Sequence, residues 1–153
     1  VAKLDAPTGV DRKMAQWTRT TDQTLTTSWA PMVWNDDPVR DADQFDSAAE
    51  ADVVEAGIHK IQYALTYYNT GSAGGTVIVN VDVQVNGTTV AGSAKAFVMS
   101  NFAGDEWHAE SSMLLDLAAS DQVTIRVKKS FATTVVTHIR ASSGRLIMEY
   151  IRP

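Results

Sequence analysis

The run TVIVNVDVQV-NG-TTVAGSAKAFV, residues 76–98, is the stretch whose reading decides the fold. Val77, Val79, Val81, Val83 and Val85 fall on every second residue, with Asn80, Asp82 and Gln84 between them. Successive side chains of an extended strand point to opposite faces, so the valines share one face and the polar residues the other. Asn86-Gly87 then supplies two residues that tolerate positive φ, as the type I′ turn of a two-residue hairpin requires. That turn sets a register in which Val83 faces Val90, Val81 faces Gly92 and Val79 faces Ala94. The stretch therefore predicts one wall of an antiparallel sheet packed on one side. Asn80, Asp82 and Gln84 belong on its exterior or at a subunit rim.

The rest of the chain fits one domain. Its 153 residues are enough to bury a core without staples, and 44% of them are hydrophobic, as in soluble globular proteins. No apolar run approaches the roughly 20 residues that span a bilayer, and no charged-then-apolar leader opens the sequence. Cysteine is absent, which excludes disulfides and thiolate metal sites. A net charge of -5 argues against a general nucleic-acid-binding surface.

Outward from the hairpin, the periodicity stays at two. Upstream, IHKIQYALTYY (58–68) places His59, Ile61, Tyr63, Leu65 and Tyr67 on one face, with Lys60, Gln62 and Thr66 on the other. Downstream, WHAESSMLLDL (107–117) aligns Trp107, Ala109, Met113, Leu115 and Leu117, and QVTIRVKK (122–129) aligns Val123, Ile125 and Val127. MAQWTRT (14–20) reads as a first strand. TLTTSWAPMVW (24–34) reads as an edge or bulged strand, because Pro31 cannot donate to a ladder. NDDPVRDADQFD (35–46) reads as a solvated acidic loop; Asp41, Asp43 and Asp46 have calcium-like spacing but lack the glycine and distal glutamate of an EF-hand loop. Residues 1–13, with Pro7 and Gly9, form an extended arm. It is either a frayed terminus or an arm on a partner anchored by Val1, Leu4 and Val10. Nine or ten strands, no helix and no internal repeat predict a sandwich or jelly roll over residues 14–153.

The closing strand RLIMEYIRP (145–153) differs from the others. Leu146, Met148 and Tyr150 occupy one face, while Ile147 and Ile151 occupy the other. One face of a lone sandwich strand should be wet, and burying each isoleucine is worth about 1.5–3 kcal/mol. These five residues are therefore expected at an interface between copies.

Nothing in the sequence asks to be an active site. His59, His108 and His138 lie on separate strands without ligand spacing; His59 is expected in the core, the other two facing solvent. No nucleophile elbow, P-loop or dinucleotide fingerprint occurs. Trp17, Trp29, Trp34 and Trp107 admit a sugar-stacking platform, though core or interface packing is the more usual use of tryptophan. The expectation is a protein without catalytic residues, metal or cofactor.

VVEAGIHKIQYALTYY (53–68) followed by VIVNVDVQVNGTTVAGS (77–93) resembles the globular domain of complement component 1q and the related tumour necrosis factor fold. LDLAASDQVTIRV (115–127) is similar to that family's strand connection, with Ser120 where glycine is usual, and RLIMEYI (145–151) to its closing strand. His59 stands where an aromatic residue is usual. RTTDQTLTTSWAPMVWNDD (19–37) looks like the opening of bacteriophage and bacterial members. The resemblance implies a ten-stranded antiparallel jelly roll that assembles as a homotrimer, with the closing strand near the threefold axis. It implies a phage virion protein more than a secreted animal one. The expected role is a capsid decoration (cement) protein on the capsid exterior, bound to the major capsid protein. The alternative is a fibre tip that binds a host receptor or glycan.

Overall fold

A computed structural model describes residues 13–40, 51–70, 76–99, 103–130, 136–141 and 144–152. The strands run β1 (Met14–Thr18), β2 (Gln23–Thr24), β3 (Ala30–Pro31), β4 (Asp36–Arg40) and β5 (Ala51–Asp52) in the first third. Then come β6 (Gly57–Thr70), β7 (Val77–Val85), β8 (Thr88–Thr89) and β9 (Lys95–Met99). The chain ends with β10 (Glu106–Leu117), β11 (Gln122–Ser130), β12 (Val136–Ile139) and β13 (Arg145–Arg152). They form two antiparallel sheets. The larger is ordered β2-β12-β6-β13-β1-β4, with β10 on the other side of β6. In the smaller, β11 and β7 are central; β3 and β5 flank β11, and β8 and β9 flank β7. The described residues contain no helix, so the all-β jelly-roll sandwich read from the sequence is the fold.

Period-two patterning explains the core. Val77, Val79, Val81 and Val83 are all 0% exposed, and Val123, Ile125 and Val127 join them from β11. Facing them across the sandwich are Ile61, Tyr63, Leu65 and Tyr67 of β6, Trp17 of β1, and Leu146 and Met148 of β13.

The hairpin is right at its turn and wrong beyond it. Asn86 and Gly87 take φ of 50° and 79°, Gln84 pairs with Thr89, and Val90 N–H donates to Val83 O at 2.8 Å. Past that point Val81 faces Lys95 and Val79 faces Phe97, so the expected partners Gly92 and Ala94 are displaced by three residues. A second turn causes the shift: Gly92 adopts φ 74° and Ser93 N–H donates to Val90 O at 3.1 Å. The polar face is also less exterior than expected. Asp82 is buried, held by Arg126 of β11 through Nε–Oδ1 at 3.0 Å and Nη2–Oδ2 at 2.5 Å.

Three further expectations need correction. Residues 24–34 are not one strand: the chain leaves the larger sheet after β2 and enters the smaller at β3, burying Met32 and Trp34. The acidic stretch begins as strand β4, whose backbone pairs with β1; Pro38 is tolerated there because β4 is the sheet's outermost strand. Asp41, Asp43 and Asp46 lie outside the described residues, as do the arm anchors Val1, Leu4 and Val10. Leu146 and Met148 are 0% exposed within the single chain. Their side chains fill its own core and offer no surface to a second copy. His138 faces outward as expected, part-covered, with its ring nitrogens 3.1 and 3.2 Å from the hydroxyls of Thr24 and Thr70.

Candidate functional site

One candidate surface among the described residues is the outer face of the larger sheet together with its β10 edge. β10 is twelve residues long and pairs with β6 alone among the described strands. Exposed edges are normally short, bulged, or defended by lysine or proline. β10 contains no lysine, arginine or proline, and its charges are the exposed carboxylates Glu106, Glu110 and Asp116. Its Trp107, Met113 and Leu115 are only partly covered, and Leu114 is 64% exposed.

Register places the neighbours of this edge. Directly opposed residues of an antiparallel pair share a face. Leu114, Lys60, Glu149 and Met14 therefore form one row across β10, β6, β13 and β1. Ser112, Gln62, Ile147 and Gln16 form the next. Ile147 is half-buried, and Ile151, at a register break in β13, is 47% exposed. Of the five closing-strand residues, Ile147, Tyr150 and Ile151 keep surface. Tyr150 leans on the core: its ring meets His59 edge-on at 5.2 Å, and its hydroxyl donates to Glu55 Oε1 at 3.2 Å. Glu55 also takes a bond from Lys13 Nζ at 2.8 Å, and Lys13 O accepts from Tyr150 N–H at 2.9 Å, tying residue 13 to the closing strand.

The other end of the same face is polar. Glu106, Tyr68, His138 and Thr24 form a row across β10, β6, β12 and β2. Tyr68 stacks on His138 at 5.1 Å, carries the Arg140 guanidinium 4.5 Å from its centroid, and donates to Asp22 Oδ2 at 2.6 Å. Arg140 in turn pairs with Glu106. The Tyr68 hydrogen bond, helped by Ala141 N–H, holds the Asp22 carboxyl below its usual range, and the same bond pushes the phenol up. These groups are paired with one another rather than poised around a nucleophile.

The remaining sequence candidates scatter. His59 is buried in the core, as expected, and His108 sits exposed on β10 against Thr66 Oγ1 at 2.9 Å. Among the described residues no three His, Asp or Glu side chains are grouped to hold a metal. Trp17 and Trp34 lie in the core, Trp107 packs against it, and Trp29 alone stands apart, so the four tryptophans form no common platform. Sequence reasoning missed Leu114. The signal was present: Met113-Leu114-Leu115 interrupts the alternation and forces one leucine outward.

Comparison with known proteins places this geometry in a class. No protein-family model matches the chain, and no curated protein matches it. Solved structures do. The globular domain of zebrafish complement 1qA protein superposes with a TM-score of 0.60 at 13% identity, covering 92% of this chain and 98% of that one. Eiger TNF from S. frugiperda gives 0.58 at 11% identity, over 92% of this chain and 93% of its own. Murine APRIL, in a crystal structure at pH 5.0, gives 0.58 at 11% identity, over 92% and 99%. The chain has the jelly-roll fold shared by complement 1q globular domains and tumour necrosis factors, as the resemblance implied.

Proposed function

We propose that this chain is a bacteriophage virion protein: a homotrimeric jelly roll that decorates the capsid exterior and braces the coat lattice. Its role is structural, with no catalytic step. The observation that carries the assembly reading is the outer face holding Leu114, Ile147 and Ile151 beside the long β10 edge, which pairs with β6 alone among the described strands. Covering one leucine is worth about 1.5–3 kcal/mol. The phage attribution rests on the opening phrase at 19–37, and the coat contact on the apolar residues Val1, Leu4 and Val10.

Light scattering on the purified chain tests assembly. The expected mass is that of three copies, and Leu114→Lys or Ile147→Lys should give monomer, because an unpaired charge at a buried contact is costly. A stable trimer in both variants would remove this face from the interface. Capsid binding is tested with residues 1–12 deleted: the trimer should persist and co-sedimentation with capsids should be lost. Undiminished co-sedimentation would sink the arm as the coat contact.

A second reading, a receptor- or glycan-binding tip domain, is favoured by one observation. Trp29 is the tryptophan left outside the core, half-exposed on the outer face of the smaller sheet. That face is opposite the surface assigned to assembly.

A further inference from the structure

Trp29 immediately precedes β3, where Ala30 pairs with Val127 and Pro31 with Arg126. The ladder ends there, since Lys129 N–H donates to Thr26 O at 2.8 Å, and the Trp29 ring lies over the outward-facing cations of β11 on the outer face of the smaller sheet. Both cations reach the ring: Lys128 Nζ lies 4.8 Å and Arg126 Cζ 4.9 Å from its centroid.

The two cations are not equivalent. Arg126 is already neutralised and fixed, by Asp82 as described and by Thr89 Oγ1, 3.1 Å from Nη2. Thr89 Oγ1 itself donates to Asp82 Oδ2 at 3.2 Å, so the carboxylate beneath is fully engaged. Lys128 has no carboxylate partner among the described residues. Its neighbour across the ladder is Asn80, whose amide donates to Ser130 Oγ at 2.9 Å. The result is one indole held by two cations, of which Lys128 rests on the ring without a carboxylate partner among the described residues, in a chain whose net charge is -5.

We propose that Trp29 and Lys128, positioned by Arg126, form a binding site for a carboxylate-bearing pyranose, a uronic or sialic acid residue of a glycan. This rests on the glycan-binding reading and names its ligand class. The C–H face of a pyranose matches the apolar indole, and its carboxylate matches the ammonium. A single-stranded nucleic acid asks for a track of cations and several stacking rings, and this face offers one ring and one cation without a carboxylate partner. A simple inorganic anion has no use for the ring.

Tryptophan fluorescence and saturation-transfer NMR on the intact chain test the site, with 3′-sialyllactose and an oligogalacturonate as acidic probes and lactose as the neutral one. At least one acidic probe should bind about tenfold or more tighter than lactose. Lys128→Gln should bring that probe down to the level of lactose while leaving the unfolding midpoint in place. Trp29→Ala should abolish binding of all three, and Trp29→Phe, which keeps a ring, should retain part of it. Lactose binding as well as the acidic probes would overturn the proposed ligand class and leave glycan binding standing. No sugar binding at millimolar concentration would remove both. Binding that survives Trp29→Ala, or that a short oligonucleotide matches, would also overturn the proposal, as adventitious anion capture.

Discussion

Ser93 takes the place of a ladder partner for Val83: its Oγ accepts from Val83 N–H at 3.1 Å and lies 3.2 Å from Val83 O. Both residues are buried. The backbone turn at Val90–Ser93 lifts the chain off β7 for three residues, and the serine hydroxyl fills the gap left in the hydrogen-bond pattern. Val83 O has a second donor in Val90 N–H, whereas Ser93 Oγ is the hydroxyl that serves Val83 N–H. Ser93→Ala should therefore cost about 1–3 kcal/mol, the penalty for stranding a buried N–H. Urea unfolding measures it; a loss under about 0.5 kcal/mol would mean that water reaches Val83.

Ser120 adopts φ 71°, the left-handed region, at the position where the resembled family places glycine. A side chain there costs about 1–2 kcal/mol, partly offset by the extra freedom glycine has when unfolded. Its N–H bond to Val53 O, at 2.7 Å, does not depend on the side chain. Ser120→Gly should raise stability by about 0.5–1 kcal/mol, or about 1–4 °C in Tm for a domain of this size. A lower Tm would show that the serine side chain has a structural role.

How much was legible in the sequence follows from which interactions are local. Strict alternation in β6, β7 and β11 was sufficient to name the inward residues, because a period of two admits one buried face. The register of β7 with β9 was not legible beyond the turn, since a second turn at Gly92 competes with the ladder and neither leaves a period. β2 and β3 were unreadable for a related reason. Two residues carry no periodicity, and which sheet each joins depends on β12 and β11, more than 90 positions later. The core position of Leu146 and Met148 is not legible either, because alternation says which residues share a face, not which face meets the chain's own second sheet. The Trp29–Arg126–Asp82 cluster joins the residue before β3 to β11 and β7, so only the folded topology brings its members together.

Tyr63 is buried, and its hydroxyl makes no hydrogen bond of good geometry; Ser111, opposite it on β10, is the side chain close enough to act on it. Burial pushes the phenol's pKa up, and the Ser111 hydroxyl opposes part of that shift. Removing an unsatisfied buried hydroxyl removes its desolvation cost, so Tyr63→Phe should be neutral to about 1 kcal/mol stabilising. Destabilisation beyond about 1 kcal/mol would show that Ser111 turns to meet the hydroxyl in solution. Ser111→Ala in the Tyr63→Phe background separates the two cases, since coupling between the substitutions reports a real bond.

His59 links stability to pH. Its ring is buried with Nδ1 2.9 Å from Gly57 O, and a carbonyl only accepts, so Nδ1 carries the proton of the neutral imidazole. Burial lowers its pKa more than the Gly57 carbonyl and the carboxylates Glu55 and Asp116 raise it; Lys13, bonded to Glu55, is the nearby cation. The unfolded chain then takes up a proton near pH 6.5 that the native ring refuses. Stability from this group is complete above about pH 6.5 and falls as pH drops towards the depressed native value. Asp22 and Glu55, whose pKa values are also lowered, lose their contributions in a separate window below about pH 4.5. Urea midpoints measured from pH 8 to pH 5 should therefore decline for the native chain. The decline should flatten in His59→Gln and persist in His108→Gln, where the ring lies on the exposed face of β10. An equal decline in all three chains would assign the effect to other groups.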